Sequence, residues 1–330
     1  MSDIEGAIRP LVSVLLASRN GQRFLPEALQ GISAQTYPAI ETILVDDGSE
    51  DGTAAILERF AAEHPRTRVL RAPGIGLAAA LAIAAREANG DYFARHDDDD
   101  RSHPERIERQ VSYLEAHPGV GVLGTAANTI DTEGRRIGIY PVPLSPEAIR
   151  RTLRRAVPFA HGSVMMRRSA YEAAGGYRGA FRASQDYDLW LRVPADAGLA
   201  NLPEPLYEWR LHPSGVFSRT RLDQMFFAAV ARTFADERRA RGRDSVDLLA
   251  LHPDPADFLE HYPGTGRLSF YFGEALAREG RAKEARHYLG RALHDPEGLR
   301  RAVPWWILTW LLPLTPRGRA AGRRPKAASV

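Results

Sequence analysis

A chain of 330 residues with 44% apolar side chains can bury a large core, as one α/β domain with an appendage or as two domains, so disorder is not the default. Forty-four Lys and Arg against 41 Asp and Glu leave a formal charge of +3, too balanced to suggest a nucleic-acid binder, although the closing PRGRAAGRRPKAASV is basic and holds no acid. Cysteine is absent, which excludes disulfides and thiolate metal sites and fits a reducing compartment.

The opening MSDIEGAIRPLVSVLLAS lacks a basic segment ahead of its short apolar run, so no signal peptide is expected. No apolar run reaches the roughly 18 residues of a membrane-spanning helix. The expected localisation is the cytoplasm, with peripheral contact on the inner face of the cytoplasmic membrane as an addition.

The first hundred residues alternate between two periodicities. LVSVLLAS (11–18) is a near-continuous apolar run, as for a strand covered on both faces. A helix follows, with Leu25, Leu29 and Ile32 on one face and Pro26 in its first turn. IETILVDDGS reads as strand and loop, and DGTAAILERFAAEH as a helix with Ile56, Leu57 and Phe60 on one face. TRVLR is a third strand, GLAAALAIAAREANG a third helix closed by Gly90, and DYFARH a fourth strand. Repeated β-α units imply a mostly parallel sheet flanked by helices.

In such sheets ligands bind beyond the carboxyl ends of the strands. SRN follows strand one, DDGS strand two and DDDD (Asp97 to Asp100) strand four, so three polar clusters, two of them acidic, converge on one rim. A carboxylate pair there can hold a hard divalent cation or accept hydrogen bonds from a ribose or base. It can also be a solvated acidic turn capping the helix near Pro104, a reading weaker for four aspartates facing a second acidic loop than for one pair. An EF-hand is excluded, because Arg101 and His103 fall where oxygen ligands and glycine belong.

VSVLLASRNGQRFLPEALQGISAQTYPAIETILVDDGSEDGT resembles the opening of the family-two glycosyltransferases. HDDDDRSHPERIERQ is similar to their metal-binding Asp-any-Asp segment and the Pro-Glu-Arg helix after it, with Asp97 and Asp99 on the motif positions. HGSVMMRRSAYEAAGGYRGAFRASQDYDLWLRV resembles their acceptor-side segment. The likeness runs from about Leu11 to His212. Two departures stand out: Arg19 occupies a position where the family commonly stacks an aromatic on the nucleobase, and APGIGLAAA lacks the frequent asparagine ahead of its glycine. An arginine can also stack on a planar ring.

The resemblance implies a GT-A fold, a nucleotide-diphospho-sugar donor, UDP-sugar favoured, and transfer to a hydroxyl with inversion, in bacterial surface polysaccharide or glycolipid assembly. It implies Mn²⁺ or Mg²⁺ held by Asp97, Asp99 and His212, and a donor-binding set of Ser18, Arg19, Asp46, Asp47, Arg71, Asp97 and Asp98, with Asp47 reading the base. Asp186, after Gln185, matches the base that takes the acceptor's proton; on sequence alone it is equally an N-cap. His161 lies in the acceptor-side segment. A sugar-nucleotide pyrophosphorylase would open with a Gly-rich phosphate loop, which ASRNGQRF is not, and a catalytically silent sugar-nucleotide-binding scaffold would not need Asp186.

The glycosyltransferase domain is expected over residues 9–220, with a helical region over 221–330. Within the latter, about 266–295 resembles one tetratricopeptide hairpin turning at Gly280, with Ala285, Leu289 and Ala292 inward. A Trp-rich amphipathic helix over about 299–314 precedes the basic tail. Trp305, Trp306 and Trp310 among leucines suit either an interfacial helix on an anionic membrane or a core-packing helix.

Overall fold

The computed structural model describes residues 9–212 and 221–311, which fall into two compact units divided in the chain between Arg221 and Leu222. The basic tail and the end of the Trp-rich helix beyond residue 311 lie outside the described residues.

In the first unit, β1 (Val12–Ser18), β2 (Ile40–Asp47), β3 (Thr67–Ala72) and β4 (Tyr92–Arg95) lie parallel in the order β3-β2-β1-β4. They are joined by α1 (Leu25–Ser33), α2 (Thr53–Glu63) and α3 (Leu77–Glu87). Side chains alternate across the sheet, and both faces are covered. Leu15, Ala17, Ile43, Val45 and Phe93 pack against α3, while Val14, Leu16, Leu44 and Tyr92 pack on the other side with Leu25, Leu29 and Leu57.

The chain continues through β5 (Arg101–Ser102), α4 (Arg106–Ala116), β6 (Val120–Ile130), β7 (Arg136–Tyr140), α5 (Pro146–Leu153), a 3₁₀ turn at His161–Ser163, β8 (Met165–Arg167), α6 (Arg168–Ala173), α7 (Gln185–Trp190) and β9 (Gly198–Arg210). β8 runs antiparallel between β4 and β6, and β9 runs parallel to β6. Six strands therefore share one direction, β1 to β4 with β6 and β9, and the sheet is mostly parallel as expected, with β5, β7 and β8 reversed.

Irregular register between Thr125 and Ala127 turns the far half of β9. Its end pairs with β5, placing Arg101 opposite Glu208 and Ser102 opposite Tyr207. The tail of β9 thus lies beside the segment that follows the four aspartates.

Gly90 does not close α3. The helix ends at Glu87 with Ala88 extended, and Gly90 is needed for close approach: a Cβ there would stand 2.6 Å from the Ser13 amide nitrogen.

The second unit is helical: α8 (Arg221–Arg241), α9 (Val246–Leu251), α10 (Pro255–His261), α11 (Thr265–Arg278), α12 (Ala282–Leu293) and α13 (Pro296–Leu311). α11 and α12 form a hairpin with Gly280 at φ 75° in its turn, and Ala285, Leu289 and Ala292 are fully buried. α13 packs on both, so the hairpin is part of a three-helix layer. Among the described residues no helix is long and apolar enough to cross a membrane.

Candidate active site

At the carboxyl ends of β1 and β2, two loops clasp each other. Asn20, left-handed at φ 57°, accepts the Glu50 N–H at Oδ1 (2.8 Å) and donates its own N–H to Ser49 Oγ (3.0 Å). Asp46 accepts the Ser49 N–H at 3.0 Å. Asp47, buried, accepts the Ile75 N–H at 2.7 Å and the Gly76 N–H at 2.8 Å, one on each carboxylate oxygen. A base-reading role for Asp47 would therefore use the lone pairs these bonds leave over. The Arg19 guanidinium lies along Gly74, where a Cβ would come within 3.2 Å of it, so Arg19 and Asp47 meet at the β3–α3 loop.

Arg71 is not drawn into this group. It lies on the α2 side of β3, with Val69, and pairs in solvent with Glu58 of α2 at 3.1 Å. Strand parity accounts for this placement: residues two apart share a face, and Arg71 falls on the face away from α3.

The four aspartates have four different surroundings. Arg95, buried, donates to Asp97 Oδ1 at 2.5 Å, and the Asp97 N–H donates to the Tyr207 hydroxyl at 3.0 Å. Burial opposes ionisation of Asp97, but Arg95, then His161, His96 and Arg106, hold its pKa below the usual carboxylate range. Asp98 shares a short hydrogen bond with Ser18 Oγ; burial and the charge of Asp99 push its pKa up to about 7. Asp99 Oδ2 stands 2.9 Å from His212 Nε2. Asp100 is fully buried, accepts the Arg210 N–H at 2.7 Å, and is raised well above the ordinary value by burial and the neighbouring charges of Asp99 and Asp97. Asp100 is thus a structural member of the run.

Buried cations fix this acidic turn from below. Arg210, 2% exposed, donates to the Asp99 carbonyl (2.8 Å), the Asp131 carbonyl (3.1 Å) and Glu27 (2.7 Å), and lies 4.5 Å over the Phe24 ring. Arg106 donates to the carbonyls of Arg95 (3.0 Å) and Gly162 (2.6 Å). His96, fully buried, is depressed to about 3 by burial and by Arg106, so the ring stays neutral. Gly162 has no room for a side chain, since a Cβ would stand 2.1 Å from the Tyr207 oxygen and 2.6 Å from Asp97 Oδ2.

Opposite the aspartates stands α7. It starts from Ser184, left-handed at φ 53°, a conformation rare for a side-chain-bearing residue. Its two aspartates differ sharply. Asp188 is fully buried and accepts from Arg178 Nε at 2.9 Å and Arg192 Nη2 at 2.8 Å. Asp186, in the first turn, is half-buried, and its charge acts on Tyr140, His161 and Tyr177. His161 Nε2 lies 2.8 Å from the Tyr177 hydroxyl, and both rings feel the charges of Asp186 and Asp97. Burial and Arg95 win over those two carboxylates and keep His161 below its ordinary pKa. An open cavity of about 610 Å³ lies beside the site, between α3 and the segment of Tyr171 to Gly179, and none of the aspartates lines it.

Residues 13–175 match the sequence model of glycosyl transferase family 2. The chain is 40% identical over 215 residues to the putative glycosyltransferase EpsE of Bacillus subtilis, covering 64% of this chain and 76% of that protein. The chain belongs to glycosyltransferase family 2. It is also 33% identical over 204 residues to the amylovoran biosynthesis glycosyltransferase AmsE of Erwinia amylovora, covering 61% of this chain and 76% of that one. Among solved structures, S. aureus TarS 1-349 with UDP-GlcNAc shares the fold at TM-score 0.59 and 16% identity, over 91% of this chain and 89% of that one. The mannosyltransferase PcManGT of Pyrobaculum calidifontis with GDP-Man and Mn²⁺ does so at 0.52 and 20%, over 92% and 87%. Asp186 lies beyond the family match.

For this glycosyltransferase two of the three residues expected of a cation site, Asp99 and His212, stand together. Asp99 offers a hard oxygen and His212 an imidazole, donors that suit Mn²⁺ better than Mg²⁺, whereas Asp97 is held by Arg95. The 2.9 Å between Asp99 and His212 is the separation of two ligands at right angles on one cation with bonds of about 2.1 Å. The buried arginines and the His161–Tyr177 pair had weaker sequence signals. Arg210 could have been found two residues before His212 in YEWRLH, but a buried arginine looks on paper like a surface one.

Proposed function

We propose that the protein moves a sugar from a nucleotide-diphospho-sugar, UDP-sugar favoured, to an acceptor hydroxyl with inversion, in assembly of a bacterial surface polysaccharide or glycolipid. The observation that carries this reading is the Asp99–His212 contact on the aspartate rim, together with the His161–Tyr177 pair on which the charges of Asp97 and a half-buried Asp186 both act. The names of EpsE and AmsE, and the ligands of TarS and PcManGT, support the substrate classes.

Asp186 would accept the proton of the acceptor hydroxyl as its oxygen bonds to the anomeric carbon. The bond from that carbon to the diphosphate oxygen breaks on the opposite face, and its electron pair leaves with the nucleoside diphosphate. Asp99 and His212 would hold Mn²⁺ or Mg²⁺, which supplies charge neutralisation at the leaving diphosphate. Arg19 and Asp47 would meet the base and Asp97 the ribose, with Ser18, Asp46 and Asp98 on the same rim. Arg95 holds Asp97 ionised and in place.

The test is a panel of nucleotide sugars with and without Mn²⁺. One donor should bind only with the cation and be turned over slowly to the free sugar. No binding of any nucleotide sugar with any divalent ion would overturn the reading in favour of a scaffold.

We also propose peripheral membrane contact through α13. Leu299, Val303, Ile307 and Trp310, spaced four, four and three, are all exposed, and residues 316–330 carry five cations and no acid. An apolar stripe beside a basic segment suits an anionic bilayer surface.

A further inference from the structure

The helical unit holds a group of side chains of metal-ligating type, outside the site described above. His252 is the residue that ends α9, and Asp257 and His261 lie one turn apart on α10. His252 Nδ1 is 2.9 Å from Asp257 Oδ2, and His261 Nδ1 is 3.2 Å from Asp257 Oδ1. One donor atom from each of the three lies within 4.8 Å of the other two. The imidazoles stack at 3.9 Å between centroids, 12° from parallel.

We propose that His252, Asp257 and His261 form a binding site for a borderline divalent transition cation, with Zn²⁺ the best fit. The chemistry of the donors decides the class. Two imidazole nitrogens and one carboxylate suit zinc, whereas Mg²⁺ and Ca²⁺ prefer all-oxygen sets. The spacing also fits. Ligands at about 2.1 Å around a tetrahedral ion stand roughly 3.4 Å apart, and the two nitrogen-to-oxygen separations are already within that. The spacing of four from Asp257 to His261 puts both on one face of α10, as two ligands of one ion require.

Local structure holds the group in place. Asp254 caps α10 by accepting the N–H groups of Ala256 (2.9 Å) and Asp257 (3.3 Å), so the carboxylate of Asp257 is left free of the capping duty. All three side chains are partly or well exposed, 23% for His252, 44% for Asp257 and 49% for His261, so the ion has an entry path and room for water. One local bond must be exchanged: His261 Nδ1 also lies 2.9 Å from the Asp257 carbonyl, and its ring turns away from that oxygen when it ligates. The bound ion would tie the end of α9 to α10.

The experiment uses the full-length Asp99→Ala protein, so that the cation site of the first unit does not contribute, and reads Zn²⁺ bound per chain by equilibrium dialysis with elemental analysis. One Zn²⁺ per chain is expected. His252→Ala, His261→Gln and Asp257→Asn should each raise Kd by about tenfold or more, since even an outer-shell partner costs a metal site that much. Zn²⁺ should raise the thermal midpoint of the Asp99→Ala parent and not of the variants, because an ion that binds only the folded chain stabilises it by mass action. Co²⁺ supplies an independent reading through its visible absorption, which should report nitrogen ligation in the parent. Zn²⁺ binding of equal affinity in the parent and in all three variants would overturn the proposal, as would a parent that binds none. The side chains are at the surface, so circular dichroism should show the variants folded; a variant that is not is set aside and the other two decide.

Discussion

His212 Nε2 stands 2.9 Å from Asp99 Oδ2, across 113 residues of chain. The contact exists because β9 runs in the direction of β4 and its bent end pairs with β5, directly after the aspartates. If the two side chains share a cation, neither alone should suffice. Asp99→Ala should abolish Mn²⁺-dependent donor binding, and His212→Ala should weaken it about 10- to 100-fold, as read by calorimetry with and without Mn²⁺. Arg71→Ala is the control: its partner is Glu58, and donor binding should not change.

The two aspartates of α7 should fail in different ways. Asp186→Asn removes the proposed proton acceptor, so turnover should fall about 10²- to 10⁴-fold while donor Kd and thermal midpoint stay put. Asp188→Asn leaves Arg178 and Arg192 facing a neutral group in a buried pocket. That should destabilise the first unit by about 3 kcal/mol, seen as a lower urea midpoint. If Asp188→Asn lowers turnover and leaves the urea midpoint in place, the two assignments are exchanged.

The βα rhythm was legible because each inner strand is covered on both faces and each helix shows one apolar face, and both leave their period in the chain. The clustering at the rim followed from parallel topology alone. Ser18, Arg19, Asp46, Asp47 and the aspartate run are brought to it because each ends or follows a strand. What could not be read depends on tertiary register. The shift near Thr125 that bends β9 leaves no local mark, so its contact with β5 was invisible. Arg95, Arg106 and Arg210 were missed because an arginine is counted as surface until its carbonyl and carboxylate partners are known. The pairing of Arg71 with Glu58 was not legible either, because a strand end shows which residues are near the rim and not which face each takes.

Gly162→Ala probes the floor of the site. Its Cβ would lie 2.1 Å from the hydroxyl oxygen of Tyr207, a buried side chain already bonded by the Asp97 N–H. Overpacking of this kind costs about 1–3 kcal/mol. The tyrosine or Asp97 must shift, so donor binding should weaken together with stability. A variant with native melting and native donor affinity would show that the floor yields without cost.

His96 predicts an acid-side effect. Its folded pKa, about 3, is below the ordinary 6.5 because of burial and Arg106, so between these values the unfolded chain binds the extra proton. The stability it contributes is complete above pH 6.5 and is lost as pH falls toward 3. Asp98 and Asp100, both raised, act in the opposite sense, gaining stability as pH falls. The difference between wild type and His96→Gln therefore carries the test. In cation-free buffer, the wild type should lose more of its urea midpoint than the variant between pH 7 and pH 5. Equal losses would mean that His96 accepts a proton without unfolding.

The apolar face of α13 gives the last prediction. Val303, Ile307 and Trp310 are exposed at 39%, 51% and 62%, and burying them in the boundary of a bilayer removes apolar area from water at about 25 cal/mol per Å². The five cations of residues 316–330 add attraction of about 1 kcal/mol each near an anionic surface and little near a neutral one. The full chain should therefore cosediment with vesicles containing phosphatidylglycerol, less with pure phosphatidylcholine, and less again as salt is raised. Ile307→Glu with Trp310→Glu should abolish cosedimentation while free-donor turnover persists, because neither residue takes part in the proposed chemistry. Cosedimentation indifferent to lipid charge and to both substitutions would leave α13 without a membrane role.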